Sequence, residues 1–152
     1  MSAVIVDIAN AVLATIEAAT LSLPFTGERV YVPVHDLRDS TGIKVSVVPT
    51  GIDVTQLDRH RDDFDYVVDV GVQRRIGTGP MTQAEINTAC DPLMVFVEEI
   101  IDLFRGQSVA YAVYDDDARC VAVANSPVYV PQHVDEHRVF TSVVTLTFRL
   151  AR

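Results

Sequence analysis

The sequence predicts an α+β fold: a single domain over residues 1–152, in which an antiparallel or mixed β-sheet of about four to six strands carries two main helices on one face. Apolar residues recur at helical spacing in two segments and alternate at strand spacing in several others. The segments follow the order helix, three strands, helix, further strands, with no linker, repeat or low-complexity tract between them. A chain of 152 residues also has the length of one domain with a sizeable core.

The first helix is predicted at the N-terminus, where Ile5, Ile8, Val12 and Ile16 recur at helical spacing. Polar residues, including Asp7, are expected mostly off this apolar face. The segment is as apolar as a signal peptide, but it has no Lys or Arg near its start and Asp7 interrupts it. We therefore expect an amphipathic helix that packs on the domain, and no membrane span.

The next segments are predicted to be strands separated by polar turns. Residues 23–27 are expected to form a break and residues 28–35 a strand. Pro33 should confine that strand to an edge of the sheet, because proline has no N–H to donate. After the polar stretch 35–42, residues 43–49 alternate between apolar and polar, as a further strand does.

Residues 50–63 are polar and show little apolar periodicity, which predicts a long loop or a protruding arm. Because such a segment has little to bury on its own, we expect it to be mobile in the free protein and ordered by a partner. Residues 64–76 are the predicted central strand. Its even-numbered residues face the core, whereas Asp65 and Asp69 face away.

The second helix is predicted from a capping box. The Thr82 hydroxyl can accept from the amide of Glu85, while the Glu85 side chain reaches back to the cap amide. An apolar stripe follows over residues 86–104. Pro92 lies inside this stripe and is expected to kink or split the helix, and Gly106 is expected to end it.

Three segments complete the predicted fold. Residues 109–114 and 119–124 flank the acidic turn 115–117, which suggests a β-hairpin. Residues 126–139 contain two prolines and are expected to form an extended connection. The last strand, residues 140–150, alternates with its even-numbered residues mostly facing the core.

Composition and motifs disfavour several classes of function. The net charge of −9 argues against a nucleic-acid binder, because phosphate affinity depends on clustered Lys and Arg. Cys90 and Cys120 lie in no CxxC or Cys/His cluster, so free, buried thiols in a reducing cytoplasm are expected. His133 and His137 have the spacing of metal ligands but no evident third ligand. We therefore predict no enzymatic activity, no cofactor and no metal site.

Five different short segments follow one another in a distinctive order along the chain. They are residues 45–49, 66–72, 100–106, 126–129 and 139–148. In this order, and behind an amphipathic N-terminal helix, they resemble the tail-terminator (neck) proteins of tailed bacteriophages over nearly the whole chain.

The resemblance implies a structural virion protein. Such a subunit forms a six-membered ring at the head-proximal end of the tail tube, stops tube polymerisation and joins the tail to the head connector. The implied partners are further copies of itself, the major tail tube protein and the head–tail connector, while DNA passes through the channel without specific binding. The implied location is the neck or tail of the virion, and the host cytoplasm during assembly. The family has no catalytic residues to carry over.

Interface or channel residues are predicted among the charged side chains of the polar segment and of the outer face of the central strand. Asp65 and Asp69 have two possible roles: they line a channel, where like charge keeps DNA from adhering, or they lie on a solvated outer face, free or paired with Arg74, Arg75 or Arg149. The full set of candidates is Asp53, Asp58, Arg59, Arg61, Asp62, Asp65 and Asp69.

Two other functions remain open. The first is another subunit of the same particle, either a head-completion or connector protein or a tail-tube subunit, with residues 50–63 as the insertion that pairs between stacked rings. The second is a small cytoplasmic enzyme or ligand-binding domain without a recognisable motif. Convergent polar groups in a deep apolar pocket would favour that second class.

Overall fold

The computed structural model describes residues 3–32, 42–110, 117–126 and 128–152. In chain order, its helices and strands are α1 (Val4–Ala18), β1 (Phe25–Arg29), β2 (Ile43–Gln56), β3 (Asp62–Arg75), α2 (Gln83–Phe104), β4 (Ser108–Ala110), β5 (Asp117–Ala124), α3 (Pro131–His137) and β6 (Val139–Ala151).

The strands form one mixed sheet in the order β1-β2-β3-β6-β5-β4. β1 runs parallel to β2, and every other neighbouring pair is antiparallel. The buried residues of α1 and α2 share one hydrophobic core with one face of this sheet, which we call the core face. The opposite face, which we call the polar face, is covered by neither long helix. The predicted α+β class, with two main helices on one face, is confirmed.

Helix α1 forms where the apolar spacing predicts it. Ile8, Val12 and Ile16 are fully buried against the sheet, as expected. Asp7 is also buried, although the sequence placed it mostly off the apolar face. Gly27 of β1 lets α1 approach closely, because a Cβ atom there would lie 2.8 Å from Leu13 Cδ1.

Strand β1 begins earlier than predicted. Residues 25–27, expected to be part of a break, pair with the first residues of β2, from Phe25 opposite Ile43 onwards. The partners in this pairing are distant in the sequence. The local sequence of residues 25–27, which is rich in turn-forming residues, therefore does not reveal the strand. β1 does lie at an edge of the sheet, as expected. Pro33 and residues 34–41, and with them the rest of the predicted strand, lie outside the described residues.

Residues 50–63 were predicted to form a long loop or a protruding arm, and the structure shows an arm rather than a loop. β2 continues to Gln56 and β3 begins at Asp62, so most of the segment is the distal half of a long β-hairpin. The register shifts between Pro49 and Gly51, which marks a β-bulge. A bulge inverts the alternation of side chains, and this inversion removes the periodicity that identifies a strand in the sequence.

Helix α2 runs unbroken from Gln83 to Phe104, so the expected split at Pro92 is wrong. A proline removes one backbone hydrogen bond, but the buried stripe from Leu93 to Phe104 holds the helix on the core. The Thr82 hydroxyl accepts from the Glu85 amide at 3.3 Å, as predicted. The Glu85 carboxylate accepts from that hydroxyl at 3.1 Å. Gly106, with φ of 70°, follows the end of the helix as expected.

The chain after α2 contains one element that the sequence analysis missed. β4 and β5 are antiparallel, as expected. Asp117, predicted to lie in the turn, instead begins β5, and residues 111–116 lie outside the described residues. The extended connection predicted over residues 126–139 is wrong, because Pro131 begins the short helix α3. Proline suits the first turn of a helix, and Val134 anchors this one by being buried. β6 then forms the predicted final strand.

Candidate assembly surface

The distal half of the β2–β3 hairpin, residues 50–63, forms an arm at one end of the sheet. Its turn is fixed by the Asp58 carboxylate, which accepts from the amides of His60 at 2.7 Å and Arg61 at 2.9 Å. An aspartate that bonds to amides two and three residues ahead pre-forms a turn. Asp58, Arg59 and Arg61 therefore lie at the exposed tip, and at least Asp58 has a structural role there.

The arm also carries exposed apolar side chains. After the bulge, Ile52 lies opposite Tyr66 and Val54 opposite Phe64, so both extend the core face beyond the helices. Ile52 is 51% exposed and Val54 is 55% exposed. Leu57 at the turn is 55% exposed. Apolar side chains clustered on an exposed strand are typical of contact surfaces, so this stripe is a candidate for subunit contact.

The end of β6 supports the arm from its other side. Asp62 and Arg152 exchange two backbone hydrogen bonds, of 2.8 and 2.9 Å. The Arg152 guanidinium lies 4.4 Å from the centre of the Phe64 ring, a distance at which a cation is attracted to an aromatic face. The arm is thus three strands wide and is tied to the sheet along its length.

The polar face next to the arm contains a specific ion pair. Arg149 donates two hydrogen bonds to Asp65, of 2.9 and 3.1 Å, and approaches Asp63 at 3.9 Å. The bonded Asp65 carboxylate raises the pKa of the Arg149 guanidinium. Farther along the strand, the Asp69 carboxylate accepts from the Thr145 hydroxyl at 2.8 Å.

The predicted interface residues therefore fall into two groups. Asp65 and Asp69 lie on the polar face, and both have partners within the same subunit. Asp53 is exposed on β2 directly opposite Asp65. The remaining four, Asp58, Arg59, Arg61 and Asp62, lie at or beside the tip of the arm. Of the arginines considered as partners, Arg149 is the one bonded to Asp65, and the strand register that brings them together is not visible in the sequence.

A surface groove with a volume of about 390 Å³ lies between α2 and α3. Cys90, Met94, Tyr129 and Arg138 are among the residues that line it. Arg138 donates from Nε to the Gly79 carbonyl at 3.1 Å, so its guanidinium is already engaged. The groove is open and of mixed polarity, unlike the deep apolar pocket that would indicate an enzyme or a ligand-binding domain.

The histidines and cysteines are placed as follows. His133 is within hydrogen-bond distance of the Thr141 hydroxyl, at 2.8 Å, and 6.2 Å from the ring of His137. In the part of the chain that the structure describes, no three His, Cys, Asp or Glu side chains come together as metal ligands do.

Cys90 and Cys120 are both free, and burial raises the pKa of each thiol. Across the described ranges, no helix has the length and apolar character needed to cross a bilayer.

Comparison with solved structures shows a likeness of fold. No family model matches the chain, and no curated protein matches its sequence. Among solved structures, it is similar to a chain from the virion of a native gene transfer agent (GTA) particle, with a TM-score of 0.56 and 12% sequence identity. The match covers 100% of both chains. The two chains therefore share one fold from end to end, despite very little sequence in common.

Proposed function

We propose that this chain is a structural subunit of a phage-like particle, and specifically the tail terminator. The observation that carries the proposal is the likeness to a GTA virion chain, which extends over the whole of both molecules. A match of this extent involves the complete fold, including the arm and the final strand, rather than one common supersecondary motif. The order of sequence segments that resembles the tail-terminator family points in the same direction.

In this proposal the subunit forms a closed ring, with six copies, at the head-proximal end of the tail tube. The ring stops tube growth and presents a surface to the head connector. A ring needs two different patches on each subunit, each of which meets its complement on the next copy. The exposed stripe of Ile52, Val54 and Leu57 on the arm is one candidate patch.

The position of the helices supports a channel role for the polar face. Because α1 and α2 both cover the core face, the polar face is free to turn towards a central channel. Asp65 and Asp69 would then lie along the path of DNA. Arg149 offsets the charge of Asp65, so Asp69 is the acid of this pair that discourages adhesion. Their bonds to Arg149 and Thr145 hold the two carboxylates in place.

Electron microscopy of purified particles tests the terminator assignment. Tails carrying a tagged copy of this protein are expected to show one labelled ring at the end nearest the head. Tails that lack the protein are expected to grow beyond their normal length. Label that is absent from the tail, or present only as scattered monomers, would count against the proposal.

A tail-tube subunit is a second candidate, favoured by one observation. Residues 50–63 form an ordered hairpin arm with exposed Ile52, Val54 and Leu57, and an arm of this kind can pair between stacked rings. The same labelling experiment separates the two roles. A tube subunit is labelled along the whole tail, whereas a terminator is labelled at one end.

A further inference from the structure

Four charged residues form a row across the polar face, one on each of four adjacent strands. Asp53 lies opposite Asp65, Asp65 opposite Arg149, and Arg149 opposite Arg119. Cross-strand partners present their side chains on the same face, and the two hydrogen bonds between Asp65 and Arg149 show that their side chains meet. From β2 to β5, the row is therefore acid, acid, base, base.

Within one subunit this order is unfavourable at both ends. Asp53 faces the like charge of Asp65, and Arg119 faces the like charge of Arg149. Like charges directly opposite one another destabilise a sheet. Asp53 and Arg119 are both exposed, and neither forms an ion pair with another side chain in the described ranges.

Asp53 and Arg119 are also too far apart to neutralise each other within one subunit. Three strand spacings separate them, which is about 14 Å at the usual ~4.8 Å between strands. Salt screens exposed charges beyond about 8–10 Å. Among the described side chains, neither residue therefore has a favourable partner in its own subunit, and both are available to a neighbouring copy.

Among the described residues, both ends of the row lie at or beside an edge of the sheet. On one side, β1 covers β2 only as far as Val47, so among the described residues no strand lies beside the rest of β2. On the other side, β4 is three residues long, and Ser108 lies opposite Arg119. Serine is small, so the long Arg119 side chain can extend past it. Open strand edges are surfaces that a further polypeptide readily covers.

We propose that a second copy of this chain docks side by side, with the β2 edge of one copy against the β4–β5 edge of the next, so that Asp53 of one copy pairs with Arg119 of the next. Repetition of the row then places an opposite charge beside each of its ends. The contact joins two different patches and so propagates from copy to copy in one direction. This inference rests on the proposed ring and identifies the contact that closes it.

The test is a charge swap measured by sedimentation equilibrium over a range of protein concentrations. Asp53→Arg and Arg119→Asp each place like charges in contact across the interface. We expect each to weaken association between neighbours by about tenfold at low salt, and the loss to shrink in high salt. The double variant, Asp53→Arg with Arg119→Asp, keeps the wild-type net charge of −9 and is expected to associate nearly as tightly as wild type.

A matched control separates this contact from the overall charge. Glu98 is exposed on α2, away from the row, and Glu98→Arg changes the net charge by the same amount as Asp53→Arg. If general repulsion between acidic subunits governs association, both variants associate more tightly than wild type. The proposed contact requires that Asp53→Arg associates more weakly than wild type, and that Glu98→Arg does not. Circular dichroism of each variant shows that the fold is retained.

The outcomes distinguish this contact from the ring itself. Suppose that the wild-type protein forms rings, but that the single variants associate as tightly as wild type or the double variant shows no recovery. Either result overturns the Asp53–Arg119 contact and leaves the terminator proposal standing. Wild-type protein that stays monomeric at every concentration, and forms no ring on tails, overturns both. Weakened single variants with recovery in the double variant establish the contact.

Discussion

Arg149 and Asp65 lie directly opposite each other on β6 and β3, and the guanidinium donates two hydrogen bonds to the carboxylate across the strands. The pair joins the two strands that form the centre of the sheet. Two parallel N–H···O bonds fix the orientation of both side chains as well as attracting them. The centre of the charged row on the polar face is therefore fixed within the subunit, and its two ends, Asp53 and Arg119, are exposed to a neighbour.

We first predict the effect of breaking this pair on the free subunit. Asp65→Asn should lower the melting temperature slightly at low salt and less at high salt, because the pair is partly exposed and salt screens it. The pKa of Arg149 is raised in the fold, so the contribution of its charge is complete at neutral pH and is lost only at strongly alkaline pH. Glu98→Gln, which removes an acid from the exposed surface of α2, is the control for the same change in net charge. An unchanged melting temperature for Asp65→Asn at low salt would show that the pair does not stabilise the subunit.

A second prediction concerns the approach of α1 to β1. Gly27→Ala places a Cβ atom 2.8 Å from Leu13 Cδ1, which forces the leucine to shift and should cost about 1 kcal/mol in the free energy of unfolding. Gly51→Ala is the matched control, because its Cβ would meet Val67 at an ordinary 3.9 Å. It should stay within about 0.5 kcal/mol of wild type. Urea unfolding of both variants measures the difference, and equal stabilities would contradict the predicted clash.

How far the fold follows from the sequence is clearest in β2. Before the bulge, odd-numbered residues such as Val45 and Val47 face the core. After the bulge, the even-numbered Ile52 and Val54 lie on that same face. A search for alternation therefore detects the first half of the strand and loses the second half. Long, uninterrupted patterns such as those of α1 and β6 were predicted correctly because nothing changes their phase.

The elements and pairs that were missed depend on contacts between distant residues. α3 has seven residues, too few for a helical pattern to show, and Val134 is its one buried residue. β1 is defined by parallel pairing with β2 rather than by its own composition. The charged row depends on strand register, so Asp53 could be proposed as an interface residue from the sequence, but its relation to Arg119 could not.

A third prediction concerns the arm in the free subunit. Residues 51–56 and 62–67 pair as neighbouring strands. The amides that donate hydrogen bonds between these strands should therefore exchange slowly with solvent even before assembly. The turn at residues 57–61 should exchange faster. Hydrogen exchange by mass spectrometry on free and assembled protein measures both. Rapid exchange throughout residues 50–63 in the free protein, with protection only after assembly, would instead support an arm that a neighbour orders.

A fourth prediction concerns the apolar stripe. Ile52→Thr with Val54→Thr keeps β-branched residues on the strand, and both sites are more than half exposed, so the free energy of unfolding should change by about 0.5 kcal/mol or less per site. If the stripe contacts another subunit, binding to tails should weaken clearly. Val95→Thr, at a site 51% exposed on α2, is the control. Equal binding of the double variant and the control would exclude the stripe from the contact.

The last prediction concerns the channel. Asp65→Lys with Asp69→Lys reverses two charges on the polar face, and if that face lines the ring, the assembled ring should gain an affinity for DNA that falls steeply with salt. Particles carrying this variant should also release their DNA poorly.

Both substitutions remove the bonds that Asp65 and Asp69 make to Arg149 and Thr145. Asp65→Asn with Asp69→Asn weakens the same bonds without adding positive charge, and it separates the two effects. DNA binding by the lysine variant but not by the asparagine variant places these residues in the channel. Normal assembly without DNA binding in either variant places the polar face on the outside of the ring, and loss of assembly in both places it at a contact between subunits.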